Sequence, residues 1–250
     1  MQFTVVIPAR YASTRFPGKP LAQIRGKAML AHVHDRAIES GASRIIVATD
    51  DDRIASLVQQ FGGELCMTGA HHVSGTTRIS EVIQNCNISE NEIVVNVQGD
   101  EPFIPAENIR QVASNLSKFD DYPMATLCYP IAETDDLLNP NVVKVVQSEA
   151  GSALYFSRSP IPFPAKYMSD GKLTVALSQI PMTFYRHIGI YAYRAGFVKK
   201  YASMSAAPLE TTESLEQLRV LANGFPIHIE ASKAAPPHGV DTPEDLARLS

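Results

Sequence analysis

The chain has no tryptophan, three cysteines in 250 residues, and no aspartate or glutamate before Asp35. Each shortage excludes something. Cys66, Cys86 and Cys128 are scattered, with no C-x-x-C pair and no Cys/His zinc-ligand spacing. That pattern predicts three free thiols in a reducing compartment, not a disulfide framework or a zinc finger. No apolar run approaches the ~20 residues that span a bilayer. Pro8 and Arg10 interrupt any signal-peptide-like apolar stretch near the start, so a cytoplasmic location is expected. The net charge of −4 excludes a global basic field of the kind that draws nucleic acid.

The missing acids make the first loop stand out. In "VVIPARYASTRFPGKPL" (Val5–Leu21), Arg10, Arg15 and Lys19 are interleaved with Ser13, Thr14 and Gly18. Basic side chains with small residues between them suit a polyphosphate, whose oxygens backbone N–H groups can approach closely. The competing reading is a solvated basic loop. The segment is not a Walker A loop, because Pro20 stands where Ser or Thr is needed, and it is not G-x-G-x-x-G.

Short runs rich in Val and Ile read as strands buried on both faces: Phe3–Pro8, Arg44–Thr49 and Glu92–Gln98. Helical patterns fall between them, at Met29–Glu39, Asp51–Phe61, Thr76–Ile83 and Ala106–Leu116. Gly41 and Gly62 act as stops, and Asp51 or Asp52 as a cap. The alternation predicts an α/β doubly wound sheet. After about Pro130 the rhythm changes. Val142–Gln147, Ala153–Ser159 and Arg186–Arg194 read as strands, with a flexible excursion at Met168–Thr183. Leu215–Gly224 then reads as a helix, "FPIHIE" as a strand and "DTPEDLARL" as a last helix capped by Asp241 or Thr242. One domain over 1–250 is expected, with a β-rich insertion at about 130–195.

Ligands of open α/β sheets bind beyond the carboxyl ends of the strands. Asp100 in "NVQGDEPFIP" stands at such an end, where a carboxylate facing a phosphate loop suits Mg2+; a turn aspartate capping backbone is the alternative. Asp241 is either a second carboxylate of this kind or a plain helix cap. "HHVSGTTR" (His71–Arg78) can read a base edge or bind an anion, or simply start a capped helix. In "RHIGIYAYR", His187, Gly189 and Tyr191 share one strand face and Ile188 and Ile190 the other.

These stretches, with "NPNVVKVV", "ALYFSRSPIP", "LEQLRVL" and "GVDTPEDL", run in order from Phe3 to Leu249 and together resemble the 3-deoxy-manno-octulosonate cytidylyltransferase family. The resemblance implies a Rossmann-like nucleotidyltransferase fold with a mixed, mainly parallel central sheet and a β-rich dimerisation insertion. It implies a homodimer and the reaction CTP + KDO → CMP-KDO + diphosphate with Mg2+, for the lipopolysaccharide inner core. It places Arg10, Ser13 and Lys19 on the CTP phosphates, with Arg15 beside them. Ser74, Gly75, Thr76, Arg78 and Gln98 fall on the cytidine side. Asp100 and Asp241 hold the metal, and Arg158, His187, Tyr191, Glu216 and Gln217 the sugar acid. The same chemistry on 8-amino-KDO or a sialic acid, or a non-catalytic nucleotide-binding homologue, are the alternatives. Two positions depart from the family pattern: Thr77, where an acid is usual, and Phe163–Tyr167, "FPAKY", where an aromatic-Asp-Arg-Asp run is usual.

Overall fold

Unbroken apolar runs need cover on both faces, and the first strand, β1 (Thr4–Pro8), is buried at every position. The computed structural model describes residues 1–12, 16–72, 74–237, 239–240 and 242–248. After β1 comes a 3-10 turn at Lys19–Leu21 and a small ribbon of β2 (Gln23–Ile24) with β3 (Lys27–Ala28). Helix α1 (Met29–Glu39) follows, and Gly41 turns the chain at φ 78°. Next are β4 (Arg44–Thr49) and α2 (Asp52–Gln60), capped by Asp51, whose carboxylate accepts the Arg53 N–H at 3.0 Å. Then come β5 (Glu64–Met67), α3 (Gly75–Asn85), β6 (Ile93–Asn96), α4 (Ala106–Lys118) and β7 (Met124–Pro130). Strands β5 and β7 have no counterpart in the sequence reading. "ELCM" and "MATLCYP" lack the Val/Ile density that marks their neighbours.

The later half holds α5 (Thr134–Leu138), β8 (Lys144–Gln147), β9 (Ala153–Ser157), a ribbon of β10 (Met168–Ser169) with β11 (Lys172–Leu173), and β12 (Tyr185–Arg194). It closes with α6 (Ala195–Ser203), α7 (Pro208–Glu213), α8 (Leu218–Ala222), β13 (Ile227–Ala231) and α9 (Pro243–Ala247). Two expectations need correction. Met168–Thr183 is folded, because Leu177 and Ile180 bury against Ile131, Leu137 and Phe184 in a small core of their own. The helix expected from Leu215 starts at Leu218, after Ser214 (φ 54°) ends α7 in the left-handed region. The last helix is capped as expected by one of the two candidates, Thr242, whose hydroxyl accepts the Asp245 N–H at 3.2 Å.

The main sheet runs in the order β13-β7-β12-β6-β1-β4-β5, with β8 pairing β12 and β9 pairing β8 at one side. Pairs β1–β4, β1–β6, β4–β5 and β7–β13 are parallel, while β12 is antiparallel to β6 and to β7. The fold is therefore α/β with a mixed, mainly parallel sheet. Within the segment 130–195, β12 lies inside this sheet, and only β8, β9 and the β10–β11 ribbon lie off its main path. Two apolar cores cover its faces. Val6, Ile46 and Val94 point into one; Val5, Ile7, Val47 and Val95 point into the other. Because β12 runs against its neighbours, its amino-terminal half arrives at the edge where the parallel strands deliver their carboxyl ends.

Candidate active site

Three segments meet at that edge: the loop after β1, the loop after β6 and the start of β12. In the first, Gly18 adopts φ 72° and donates its N–H to the Tyr11 carbonyl at 2.9 Å. A Cβ at Gly18 would lie 3.1 Å from the Tyr11 ring, so glycine fits both the angle and the space. This turn directs Lys19 inward. Lys19 is only 8% exposed, and its Nζ donates to Asp100 Oδ2 at 2.7 Å. In the second loop Gly99 lets the two strand ends touch, since a Cβ there would sit 3.0 Å from the Pro8 carbonyl oxygen. The carbonyl of Asp100 accepts the Val240 N–H at 3.2 Å, which draws the carboxy-terminal segment onto this loop.

Helix α3 aims its first turn at the same place. Ser74 caps it, accepting the Thr77 N–H at 3.2 Å, and Thr77 Oγ1 accepts the Ser74 N–H at 3.4 Å in return. Thr77 therefore closes a capping box with a hydroxyl.

A cavity of about 360 Å3 opens beside that helix start, lined by Ser74, Gly75 and Thr76, by His187, Gly189 and Tyr191 of β12, and by Glu216 and Gln217. A second, of about 310 Å3, is lined by Lys19, Gly99 and Asp100. The two share Arg10, Gly75 and Gln98, so they form one trough with a charged end and a hydrogen-bonding end.

The hydrogen-bonding end holds polar groups that the protein itself leaves without partners. Asn96 Oδ1 and Gln217 Nε2 are buried and have no hydrogen-bond partner among the described residues. Such atoms cost free energy until a ligand pairs them. Burial pushes the Glu216 carboxyl above its ordinary range, against hydrogen bonds from Ser74 and Thr76. Burial likewise raises the Tyr191 and Tyr193 phenols, which stay neutral donors. Burial pushes His187 down to about 3, so its ring is neutral. The tautomer follows from its neighbour. The single hydroxyl proton of Thr126 goes to the Ile190 carbonyl at 2.7 Å. His187 Nε2 therefore donates to Thr126 Oγ1 at 2.9 Å, and Nδ1 remains the acceptor. Arg10 is lowered, first by burial and then by repulsion from Arg78, against attraction to Asp50 and Glu216.

Of the residues expected at the site, Arg10, Lys19, Ser74, Gly75, Thr76, Gln98, Asp100, His187, Tyr191, Glu216 and Gln217 all line the trough. Arg78 does not: it is fully buried, donates to Thr68 Oγ1 at 2.5 Å and pairs with Asp50 at 3.3 Å. It sits on α3 facing the sheet and lines neither cavity. Arg158 does not line it either. Its guanidinium donates to the carbonyls of Glu213 at 2.7 Å and Pro140 at 3.0 Å, which ties the β9 end to α7. Ser13, Arg15 and Asp241 lie outside the described residues. The sequence reading missed Asn96, Tyr193 and Tyr201. A polar residue ending the apolar run "IVVN" is a legible signal for Asn96. Tyr193 continues the alternation of His187, Gly189 and Tyr191. Tyr201 carries no such mark.

Residues 4–231 match the family model described as cytidylyltransferase. A 3-deoxy-manno-octulosonate cytidylyltransferase of Pseudoalteromonas atlantica is 57% identical over 249 residues, spanning 100% of this chain and 97% of that one. Its counterpart in Haemophilus influenzae is 51% identical over 100% and 97% of the two chains. Among solved structures, a CMP:2-keto-3-deoxy-manno-octonic acid synthetase complexed with CTP superposes with a TM-score of 0.88 at 40% identity, covering 100% of this chain and 97% of that one. A 4-diphosphocytidyl-2C-methyl-D-erythritol synthase, at 12% identity and TM-score 0.63, shares the fold.

Proposed function

Because the chain belongs to the cytidylyltransferase family, we propose that it activates 3-deoxy-manno-octulosonate (KDO) with CTP, releasing diphosphate and CMP-KDO for the lipopolysaccharide inner core. The observation that carries this reading is the continuous trough. Lys19 and Asp100 stand at one end, buried and partly unpaired hydrogen-bonding groups stand at the other, and Arg10 lines both. A nucleoside triphosphate and a polyhydroxy acid have those two characters.

The anomeric hydroxyl of KDO attacks the α-phosphorus of CTP. The bond from that phosphorus to the bridging oxygen breaks, diphosphate leaves with that oxygen, and the hydroxyl proton passes to solvent water. The protein needs no covalent nucleophile; it must align the hydroxyl in line and offset charge on the phosphates. Lys19 and Arg10 take the phosphate end and stabilise the departing diphosphate. The Ser74–Thr76 turn, with its N–H groups at a helix start, and Gln98 face the nucleoside. His187 Nδ1 accepts from a sugar hydroxyl, while Tyr191, Gln217 and Glu216 complete that pocket.

Mg2+ fits the charged end. Asp100 offers one carboxylate beside the phosphate site, and this ion takes one or two carboxylates and fills its remaining positions with phosphate oxygens and water. Asp241 is the second expected ligand. When bound, Mg2+ neutralises phosphate charge and acidifies the attacking hydroxyl. The chain is proposed to act as a cytoplasmic homodimer, with the exposed Leu154 and Phe163 (60% and 62%) at its contact face. No helix among the described residues is long and apolar enough to cross a membrane.

Diphosphate release from CTP, Mg2+ and a panel of KDO, 8-amino-KDO and a sialic acid tests the reading. Turnover is expected with KDO. Preference for another acid moves the substrate assignment, and CTP binding without turnover on any acid overturns the catalytic one. Light scattering of the intact protein tests the dimer.

A further inference from the structure

Outside the trough, one group of side chains has the donor chemistry of a metal centre. His71 and His72 lie in the loop after β5, and Glu81 lies on the second turn of α3. One ligating atom from each comes within 4.8 Å of the others. The geometry points to a second metal site on His71, His72 and Glu81, which takes a divalent first-row transition ion and suits Zn2+ best.

The donor set selects the ion. Two imidazoles and a carboxylate suit Zn2+, whereas Mg2+ and Ca2+ prefer all-oxygen shells. Several features of the site are built around these side chains. The Glu81 carboxylate is fixed by the Gly69 N–H, which donates to Oε2 at 3.0 Å, and by Asn85 Nδ2, 3.4 Å from Oε1. Such outer contacts orient a ligand before the ion arrives. His72 Nε2 lies 2.5 Å from Glu81 Oε2. An ion pair alone would explain that contact, but it has no use for His71. Yet the His71 ring lies tilted beside that of His72, with ring centroids 4.3 Å apart. Its place is made by Gly69, where a Cβ would collide with the His71 ring. Any larger residue at 69 would push that imidazole away.

Ligand atoms on tetrahedral Zn2+ stand about 3.3 Å apart, from Zn–N and Zn–O bonds of about 2.0–2.2 Å. Entry of the ion therefore widens the His72–Glu81 contact and draws His71 in. The cluster faces an open cavity of about 570 Å3, also lined by Thr77, Ser80 and Gln84, which leaves room for water as a fourth ligand. This cavity shares no lining residue with the trough. The bound ion would tie the loop after β5 to α3 next to Ser74, and so stiffen the helix start that the trough uses. The site stands independently of the substrate reading above.

The test uses the full chain, stripped with a chelator and kept in excess Mg2+. Co2+ is followed by its visible absorption and Zn2+ by calorimetry. One equivalent is expected, with the intense bands of four-coordinate Co2+ that Zn2+ then displaces. In His71→Ala the bands disappear and Zn2+ affinity falls by about a hundredfold or more, beyond the 10–100-fold cost of losing an outer-shell partner. Turnover with Mg2+ alone is unchanged, because His71 does not line the trough. Gly69→Ala, which leaves all three ligands in the sequence, also weakens binding. The proposal is overturned if stoichiometry and spectrum are the same in His71→Ala as in the natural chain. Absence of micromolar binding by either ion also overturns it.

Discussion

Lys19 Nζ sits 2.7 Å from Asp100 Oδ2, so without ligands the proposed phosphate cation and the proposed metal carboxylate satisfy each other. The pair is held by the Gly18 turn on one side and by the Gly99 contact with Pro8 on the other. CTP and a divalent ion arriving together give each partner a new counter-charge, so opening the pair need not leave a buried charge alone.

Asp100→Asn keeps the shape of the side chain and an acceptor for Lys19 but removes the charge. Turnover is expected to fall about 10²–10³-fold, the scale of several kcal/mol of transition-state charge stabilisation. The melting temperature is expected to stay within a few degrees. Near-normal turnover at saturating Mg2+ would rule out a metal role.

Lys19→Ala should raise the apparent KM for CTP by about tenfold or more while KM for KDO changes little, since a charge-assisted phosphate contact is worth roughly 1.5–3 kcal/mol. Equal effects on both substrates would count against a phosphate role for this side chain.

Thr77 separates capping from charge. Thr77→Ala removes the hydroxyl that closes the box with Ser74 and is expected to cost about 1 kcal/mol, or roughly 2–4 °C in a chain of this size. Thr77→Asp should recover that loss, because an acid in the first turn also meets the positive end of the helix. Thermal melts of both variants decide it; a destabilised Asp variant would show that the hydroxyl does more than cap.

His187 gives the pH prediction. Its folded pKa of about 3 lies below the ordinary value of 6.5, so the neutral form is favoured by folding. Its contribution to stability is complete above pH 6.5 and is lost as pH falls from 6.5 toward 3. The ring signals in NMR should stay constant from pH 8 to pH 5. A titration midpoint near 6.5 in the folded protein would exclude a fixed neutral ring as the acceptor.

Much of the charged end was legible because charge and glycine leave marks in a sequence. The unbalanced Arg10 and Lys19, and Asp100 after a buried strand, all reach the trough. The hydrogen-bonding end was less legible. Arg78 resembles a ligand cation by its place after "SGTT", yet α3 turns it inward to Asp50, and helix phase relative to the sheet is a tertiary fact. Arg158 spends its donors on carbonyls of α7 and of Pro140, and α7 has no sequence signature beyond Pro208. Strand β7 escaped notice, and with it Thr126, the residue that sets the His187 tautomer.

The hydrogen bond from Val240 to the Asp100 carbonyl has a consequence for shortening the chain. The last strand of the sheet ends at Ala231, and Val240 then buries against Ile24 and Met29. The clasp on the Asp100 loop is therefore supplied by a segment that lies beyond every strand of the sheet in sequence. A chain ending between these two points would keep every strand of the sheet and lose the hydrogen bond that draws the carboxy-terminal segment onto the Asp100 loop.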